Sequence, residues 1–554
     1  MFKVRAKLVK RHMSNSEVFM KENSIGRGVI ILAISSIILK LLSALYMPIL
    51  SHILTDDGIA IYTVGYDVFI FLFAITSLGI QPAITKLVSE ERTIGSDKDV
   101  FNVLFISKKF LLFYGGIASI VFALLAKPLS ILFNSNDSIK VFIFLSPAIL
   151  LASILAAYRG FFQGYNDMIT LSISNIIEQL FNVIFSLFFA FQLINISTSW
   201  GSTGGTIGTT LGAIGAITYI KYILNKKYDS KFISKNTTED KYTRKLHNNK
   251  ILKRLLISAV PFILIAAIQN ISAIVDVFTV RTFIETDINI KTATLKYYTT
   301  IINVPLVIIT SLGIGVFPKI IKGYLEKNKK ELVTQTAYCY KLTYIITIPS
   351  VCGLMILSKD IFKLVFNREF GYEILLIGAV ALIFMALFTI QNIVLQGMNK
   401  FKFIIKLGLI SLIIKTLINI IFIRINNINV IGAVIGSIVS LAVVTVCNHI
   451  GLQEYFNIKI PIINQSKTPL IASIIMSIVL LTLRYKLIAG FISNNYTRIN
   501  ICIVTFGLIL IGGIIYFLSL LLLGGISKYE LDTISPVIYR RLPVKLKNRI
   551  VKII

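Results

Sequence analysis

Apolar runs of about 20 residues recur along the chain roughly every 30–40 positions, with short polar stretches between them. Val29 to Leu54, Ile139 to Tyr158 and Asn500 to Leu523 are examples. Each is long enough to cross a hydrocarbon core of about 30 Å as a helix. None alternates apolar and polar residues with the period of two that a barrel strand requires. The pattern therefore predicts an all-α integral membrane protein of about 14 transmembrane helices. The spans fall near residues 25–54, 62–88, 101–126, 139–158, 169–194, 203–224, 255–280, 297–318, 332–357, 374–397, 403–423, 430–451, 469–489 and 500–523.

The pattern also repeats itself. Ile75-Thr76-Ser77-Leu78-Gly79-Ile80 recurs letter for letter as Ile309-Thr310-Ser311-Leu312-Gly313-Ile314, at an offset of about 234 residues. Gln163-Gly164-Tyr165-Asn166 recurs as Gln396-Gly397-Met398-Asn399, and Phe133-Asn134 as Phe366-Asn367, both at about 233. An even number of spans, six, separates each pair, so the halves share one membrane orientation. Parallel repeats of this kind are related by an axis along the membrane normal and place a substrate site between them. The reading is two parallel six-helix lobes, helices 1–6 and 7–12, around a central cavity, with helices 13–14 appended. In residue terms it gives a basic N-terminal tail (1–24), an N-lobe (25–224), a basic linker (225–254), a C-lobe (255–451), the appended pair (452–523) and a basic C-terminal tail (524–554).

Composition agrees with the pattern. Charged residues make up 15% of the chain against 55% hydrophobic, with a mean hydropathy of +0.81, whereas a soluble domain is about one-quarter charged. The net charge of +30 would suit nucleic acid, but its distribution points to a bilayer. With both termini cytoplasmic, inside segments hold about 39 Lys and Arg and outside segments about 12, the positive-inside bias. The closing segment from Ile534 mixes basic and apolar residues in a way that suits a helix on an anionic leaflet. The four cysteines show no CxxC spacing and read as core residues.

Ionisable residues inside a bilayer are expensive, so each marks a candidate site. Lys40 lies in the middle of helix 1. Asn175, Glu178 and Asn182 form a stripe on helix 5, with Gln179 beside it. Asp276 stands on helix 7 with Gln269, Ser272 and Thr279. Lys415 stands on helix 11 between Ser411 and Asn419, and Gln396 closes a stripe with Thr389 and Asn392 on helix 10. Arg159 sits near a span end. The substrate-binding candidates are thus Lys40, Arg159, Asn175, Glu178, Gln179, Asn182, Asp276, Gln396 and Lys415, with interhelical hydrogen bonding as the alternative role for the amides and hydroxyls. No HExxH, GxSxG or Walker A motif occurs, so no catalytic, cofactor or metal site is expected. Transport would then draw on the membrane potential or on an H+ or Na+ gradient.

The stretch from Thr76 to Glu90, TSLGIQPAITKLVSE, resembles the end of helix 2 in stage V sporulation protein B-like members of the multidrug/oligosaccharidyl-lipid/polysaccharide flippase superfamily. Arg159-Gly160-Phe161-Phe162-Gln163-Gly164, followed by Ile176-Ile177-Glu178-Gln179, is similar to that family's helix 4–5 segment. The resemblance implies a V-shaped pair of lobes and alternating access for a lipid-linked saccharide. The related lipid II flippases hold a pyrophosphate in a cationic cavity. Lys40 matches the basic position on helix 1, while Met47 stands where many relatives have a second basic residue. Some relatives bind sodium through acidic residues on helices 7 and 11. Asp276 matches the first and is a candidate for cation coupling, whereas Lys415 departs from the pattern with a tethered ammonium.

The expected function is therefore a flippase for an undecaprenyl-pyrophosphate peptidoglycan precursor in a bacterial cytoplasmic membrane, serving cell-wall or spore-cortex synthesis. Its expected partners are membrane lipid, the lipid-linked saccharide and cell-wall synthesis proteins, with no nucleic acid. A drug exporter of the same superfamily and a membrane saccharide polymerase are the alternatives. The polymerase requires large outside loops with catalytic acids, yet the segments near Thr282 to Lys296 and Ser358 to Glu373 are short.

Overall fold

Backbone amides in a bilayer core must bond within their own segment, which leaves the helix as the form open to these apolar runs. In the computed structural model the described residues of these stretches lie mostly on helix. The structure describes residues 15–94, 97–227, 241–457, 460–487 and 498–525, with the side chains of residues 15–38, 40, 41, 44, 241–247 and 311–319 among those left out. Within the described residues, 11 helices are long and apolar enough to span a membrane, or 12 when the bent pair Tyr372–Gly378 and Ala381–Gly397 counts as one. The proposed surface helix from Ile534 lies outside the described residues.

In chain order the helices are α1 (Asn15–Phe73), α2 (Gln81–Ile94), α3 (Asp97–Leu124), α4 (Ala126–Leu132), α5 (Ile139–Gly164), α6 (Met168–Leu193), α7 (Thr198–Lys227), α8 (Lys241–Phe283) and α9 (Ile288–Leu325). They continue as α10 (Lys329–Ile356), α11 (Ser358–Phe366), α12 (Tyr372–Gly378), α13 (Ala381–Gly397), α14 (Phe401–Ile423), α15 (Ile431–Phe456), α16 (Lys467–Leu487) and α17 (Arg498–Leu522). Pro48, Pro147, Pro261 and Pro349 lie inside helices. Three marked breaks fall elsewhere: at Thr55 (φ 62°), at the π turn Ala74–Leu78, and at the 50° bend between α12 and α13.

Two compact units emerge, the first comprising residues 1–46 and 64–274 and the second residues 47–63 and 275–554. Their boundary falls inside α8, between Ile274 and Val275, and the corner of α1 around Thr55 belongs to the second unit. The segment expected as a solvated linker up to Arg254 is helical from Lys241 onward. Ile251 and Leu255 anchor that start in the first unit's core, and Arg254 bonds Glu91 at 2.5 Å and Glu90 at 3.0 Å.

The first unit's core gathers Ile84, Leu87 and Val88 of α2 with Phe101 and Leu104 of α3, Tyr158, Phe161 and Phe162 of α5, and Ile220 of α7. Gly160 lets α5 close on α2, since a Cβ there would stand 2.7 Å from the Ile84 side chain. Asp167 caps α6 by accepting from the Thr170 amide at 3.1 Å, and it also pairs with Lys227. Burial works against this carboxylate, but the bonds from Lys227 and Thr170 outweigh it and hold its pKa below the usual range.

Helices α6 and α7 form the tightest seam. A Cβ on Gly204 would lie 2.5 Å from the Phe189 carbonyl oxygen and 2.6 Å from its carbon, both backbone atoms that cannot move aside. Small residues at such crossings let backbones approach where no hydrophobic drive exists between helices. Gly204→Ala is expected to cost about 1–3 kcal/mol through overpacking. Gly513→Ala, where nothing stands within 4 Å, is the matched control. Thermal unfolding of the two purified variants checks this, and equal melting temperatures would contradict it.

The repeated motifs share local structure. Gln163-Gly164-Tyr165-Asn166 ends α5 and Gln396-Gly397-Met398-Asn399 ends α13, with Asn166 (φ 63°) and Asn399 (φ 57°) both left-handed. The closing bonds correspond one to one: Asp167 N to Phe162 O at 2.9 Å and Lys400 N to Leu395 O at 2.9 Å. Asn134 and Asn367 likewise end α4 and α11 with φ 46° and 56°. Asparagine is one of the few non-glycine residues that adopts this conformation readily. The third pair differs, because Ala74–Leu78 is a π turn whereas Ile309–Ile314 lies within α9.

Candidate functional site

Each unit holds its own buried charge cluster. In the first, Arg159 comes from the last turns of α5, where the chain is almost fully buried. Its guanidinium meets the Glu178 carboxylate of α6 at 2.7 Å and donates to Ser174 Oγ from Nε at 3.2 Å and from Nη2 at 3.1 Å. The spacing from Ser174 to Glu178 is one helical turn, so both groups face the same fork. Glu178 keeps 23% of its side-chain surface. One turn on, Asn182 Oδ1 accepts from Ser186 at 3.1 Å and from Thr209 of α7 at 3.3 Å. Asn175 and Gln179 are half-buried on the same helix.

In the second unit, Lys415 of α14 places Nζ 2.7 Å from Asp276 Oδ2 on α8. Asn419, one turn further, donates to Asp276 Oδ1 at 2.9 Å and lies 3.2 Å from Thr279 Oγ1. Lys415 and Asp276 retain 6% and 11% of their side-chain surface. Gly436 of α15 fits directly over Asn419, where a Cβ would collide with the amide oxygen. Such a pair resists loss of either partner far more than it stabilises the fold, because a lone buried charge is the costly state.

The structure therefore joins Arg159 to Glu178, which the sequence presents separately, and Asp276 to Lys415, the tethered ammonium that the resemblance set beside it. Gln396 is half-buried at the end of α13. Lys40 lies on α1, and its side chain is outside those described. Arg281 is buried at the end of α8, with Nη1 3.1 Å from Asn289 Oδ1.

Two networks escaped the sequence reading. Gln81 Nε2 donates to Gln163 Oε1 at 2.9 Å and Thr85 shares that acceptor at 3.3 Å, binding the two resemblance motifs to each other. At the α1 corner, Asp56 accepts from Tyr297 at 2.6 Å and from Arg368 at 2.9 Å, while Asp57 accepts from Asn289 at 2.8 Å. The adjacent carboxylates after Thr55 were the available signal. Thr55 is a β-branched residue in the left-handed region, a strained state that these bonds help to hold.

The many long apolar helices define a multi-pass membrane protein. The chain matches the polysaccharide biosynthesis protein family over residues 25–324, and it belongs to that family. It is 24% identical over 546 residues to the lipid II flippase MurJ of Bacillus subtilis (strain 168), spanning 93% of this chain and 97% of that one. Stage V sporulation protein B of the same organism is 22% identical over 173 residues, 30% of this chain and 32% of that protein. Among solved structures, the inward closed lipid II flippase MurJ superposes with a TM-score of 0.63 at 16% identity, covering 89% of this chain and 97% of that one. An inward-facing multidrug resistance MATE family transporter of the MOP superfamily gives 0.63 at 16% identity, over 77% and 99%. The fold is that of this superfamily.

Proposed function

We propose that the protein is a flippase that carries a lipid-linked oligosaccharide of the polyprenyl-pyrophosphate class, such as lipid II, from the inner to the outer leaflet by alternating access. The observation that carries this reading is the similarity to the lipid II flippase of Bacillus subtilis along 93% of the chain. A role in cell-wall or spore-cortex synthesis, with both termini cytoplasmic, belongs to the same proposal. The drug-exporter alternative draws on the MATE structures, which superpose with a similar score but leave more of this chain uncovered. Fluorescent lipid II and a cationic dye offered to the same proteoliposomes separate the two. Translocation of the lipid without dye efflux is expected, and dye efflux alone would overturn the reading.

The proposal extends to coupling. Lys415 sets a cation against Asp276 at 2.7 Å, where a free ion would otherwise be needed to balance the carboxylate. In this reading the second unit carries its cation covalently and transport does not require sodium. Replacing NaCl by KCl or choline chloride is expected to change the initial flipping rate less than about twofold. A tenfold or greater loss without sodium would refute the tethered-cation assignment while leaving the flippase reading intact.

A further inference from the structure

The second unit contains a polar layer that neither charge cluster uses. Tyr340 of α10, Gln391 and Asn392 of α13, and Asn448 of α15 are all buried, with relative exposures of 2% or less. Gln391 Nε2 donates to the Thr445 carbonyl of α15 at 3.1 Å, and Thr445 Oγ1 reaches the Phe384 carbonyl of α13 at 3.4 Å. These two bonds set the register of α13 against α15. Asn392 lies two turns beyond Phe384 and Asn448 one turn beyond Thr445, so both amides fall on that seam. His449 follows Asn448, with its ring centroid 6.1 Å from that of Tyr340. The Tyr340 hydroxyl lies against the Gln391 side-chain amide, close enough for a weak hydrogen bond.

Seven polar atoms of this layer lack a well-formed hydrogen bond. They are Tyr340 Oη, Gln391 Oε1, both side-chain polar atoms of Asn392, both of Asn448, and His449 Nδ1. A buried donor or acceptor without a partner costs more than a formed bond contributes, and such atoms are rare in folded proteins. Their concentration on three packed helices calls for a ligand that completes them. The chemistry of the set identifies the ligand class. Gln453 Nε2 lies 2.8 Å from His449 Nε2 and 3.5 Å from the Ile460 carbonyl. A carbonyl only accepts, so Gln453 donates on that side and His449 Nε2 accepts from it. The ring proton then sits on Nδ1, a buried donor. The site therefore combines amide N–H donors and an imidazole donor with three amide oxygens and a hydroxyl. A bare cation would satisfy the oxygens alone. Water satisfies both kinds, with two to four polar partners each.

We propose that this layer is an internal hydration site of the second unit, a small cluster of bound waters held by Tyr340, Gln391, Asn392, Asn448 and His449. Water at a helix crossing exchanges partners easily, so α10, α13 and α15 can shift against one another without stranding polar groups. The inference does not depend on what the protein transports.

Millisecond X-ray footprinting of the detergent-solubilised protein tests it, since radicals born from bound water oxidise the side chains around them. Tyr298 is the internal control, buried in the same unit with its hydroxyl bonded to the Gly378 carbonyl at 3.1 Å. Tyr340 is expected to be oxidised at least fivefold faster than Tyr298, and equal rates in the unmodified protein would overturn the proposal. Asn392→Leu/Asn448→Leu should bring Tyr340 down to the Tyr298 rate and lower the melting temperature. A raised melting temperature in that variant would mean the amides are dry and unpaired, and the hydration site would be abandoned. Repeating the unmodified protein in NaCl and in choline chloride should give the same labelling and the same melting temperature. Stabilisation by sodium alone would assign the layer to a monovalent cation and overturn the assignment to water.

Discussion

Lys415→Met is expected to destabilise the protein by about 3–5 kcal/mol, the range for removing one partner of a buried ion pair. The change keeps most of the side-chain volume, so packing around α14 is largely preserved. What it removes is the ammonium at 2.7 Å from Asp276, while the neutral amide donor of Asn419 at 2.9 Å stays in place. A carboxylate in that position either keeps an uncompensated charge or takes up a proton, and both states are worse than the native pair. Asp276→Asn in the same background removes the charge that lost its partner. The double variant should recover most of the stability, because a neutral pair of similar shape can approach or exceed the stability of a buried ion pair. Thermal unfolding in detergent of both single variants and the double variant gives the coupling directly. Purely additive losses would show that the two groups do not depend on each other.

The contrast between the two charge clusters and their sequence signals explains what was legible beforehand. Apolar length reports on backbone satisfaction in lipid, so the helical stretches could be placed without tertiary information. The Gln-Gly-x-Asn repeats were equally legible, because the left-handed conformation of Asn166 and Asn399 is a local property. Charged residues inside spans could be flagged as costly, which singled out Glu178, Asp276 and Lys415. Residue pattern alone does not give their partners, since Asp276 and Lys415 meet across 139 positions of chain; the resemblance set Lys415 at the Asp276 site, but nothing set Arg159 on Glu178. The start of α8 was hidden for the same reason. Its Lys, Asn and Thr composition resembles a solvated segment, and its order comes from Ile251 and Leu255 in a distant core and from Arg254 on Glu91. Thr55 offers no glycine or proline signal, and its break is held by Asp56 bonding to Tyr297 and Arg368 far along the sequence. The unpaired amides of the α13–α15 seam read in sequence as ordinary interhelical contacts, because only coordinates reveal an atom left without a partner.

Lys40→Gln is expected to abolish most lipid II translocation, whereas Lys40→Arg retains it. The expectation rests on the flippase reading and on the position of Lys40 within an apolar span of α1. A pyrophosphate entering a poorly hydrated cavity needs cationic donors, and charge-assisted hydrogen bonds are about twice as strong as neutral ones. Gln keeps most of the length and some donor capacity but no charge. Arg keeps the charge and offers a planar fork matched to phosphate oxygens. The competing explanation is that Lys40 neutralises a buried carboxylate and matters only for folding. Glu178 and Asp276 are carboxylates of the kind that role needs, and the structure pairs them with Arg159 and Lys415 within their own units. Lys40→Gln should therefore accumulate in the membrane and unfold at an unchanged temperature while its flipping rate falls tenfold or more. Lys40→Gln/Glu178→Gln and Lys40→Gln/Asp276→Asn complete the test. If either double variant regains both stability and transport that Lys40→Gln lacks, the ammonium serves the fold and the pyrophosphate role must be dropped. If transport stays lost in a stable protein, the charge on Lys40 acts on the substrate.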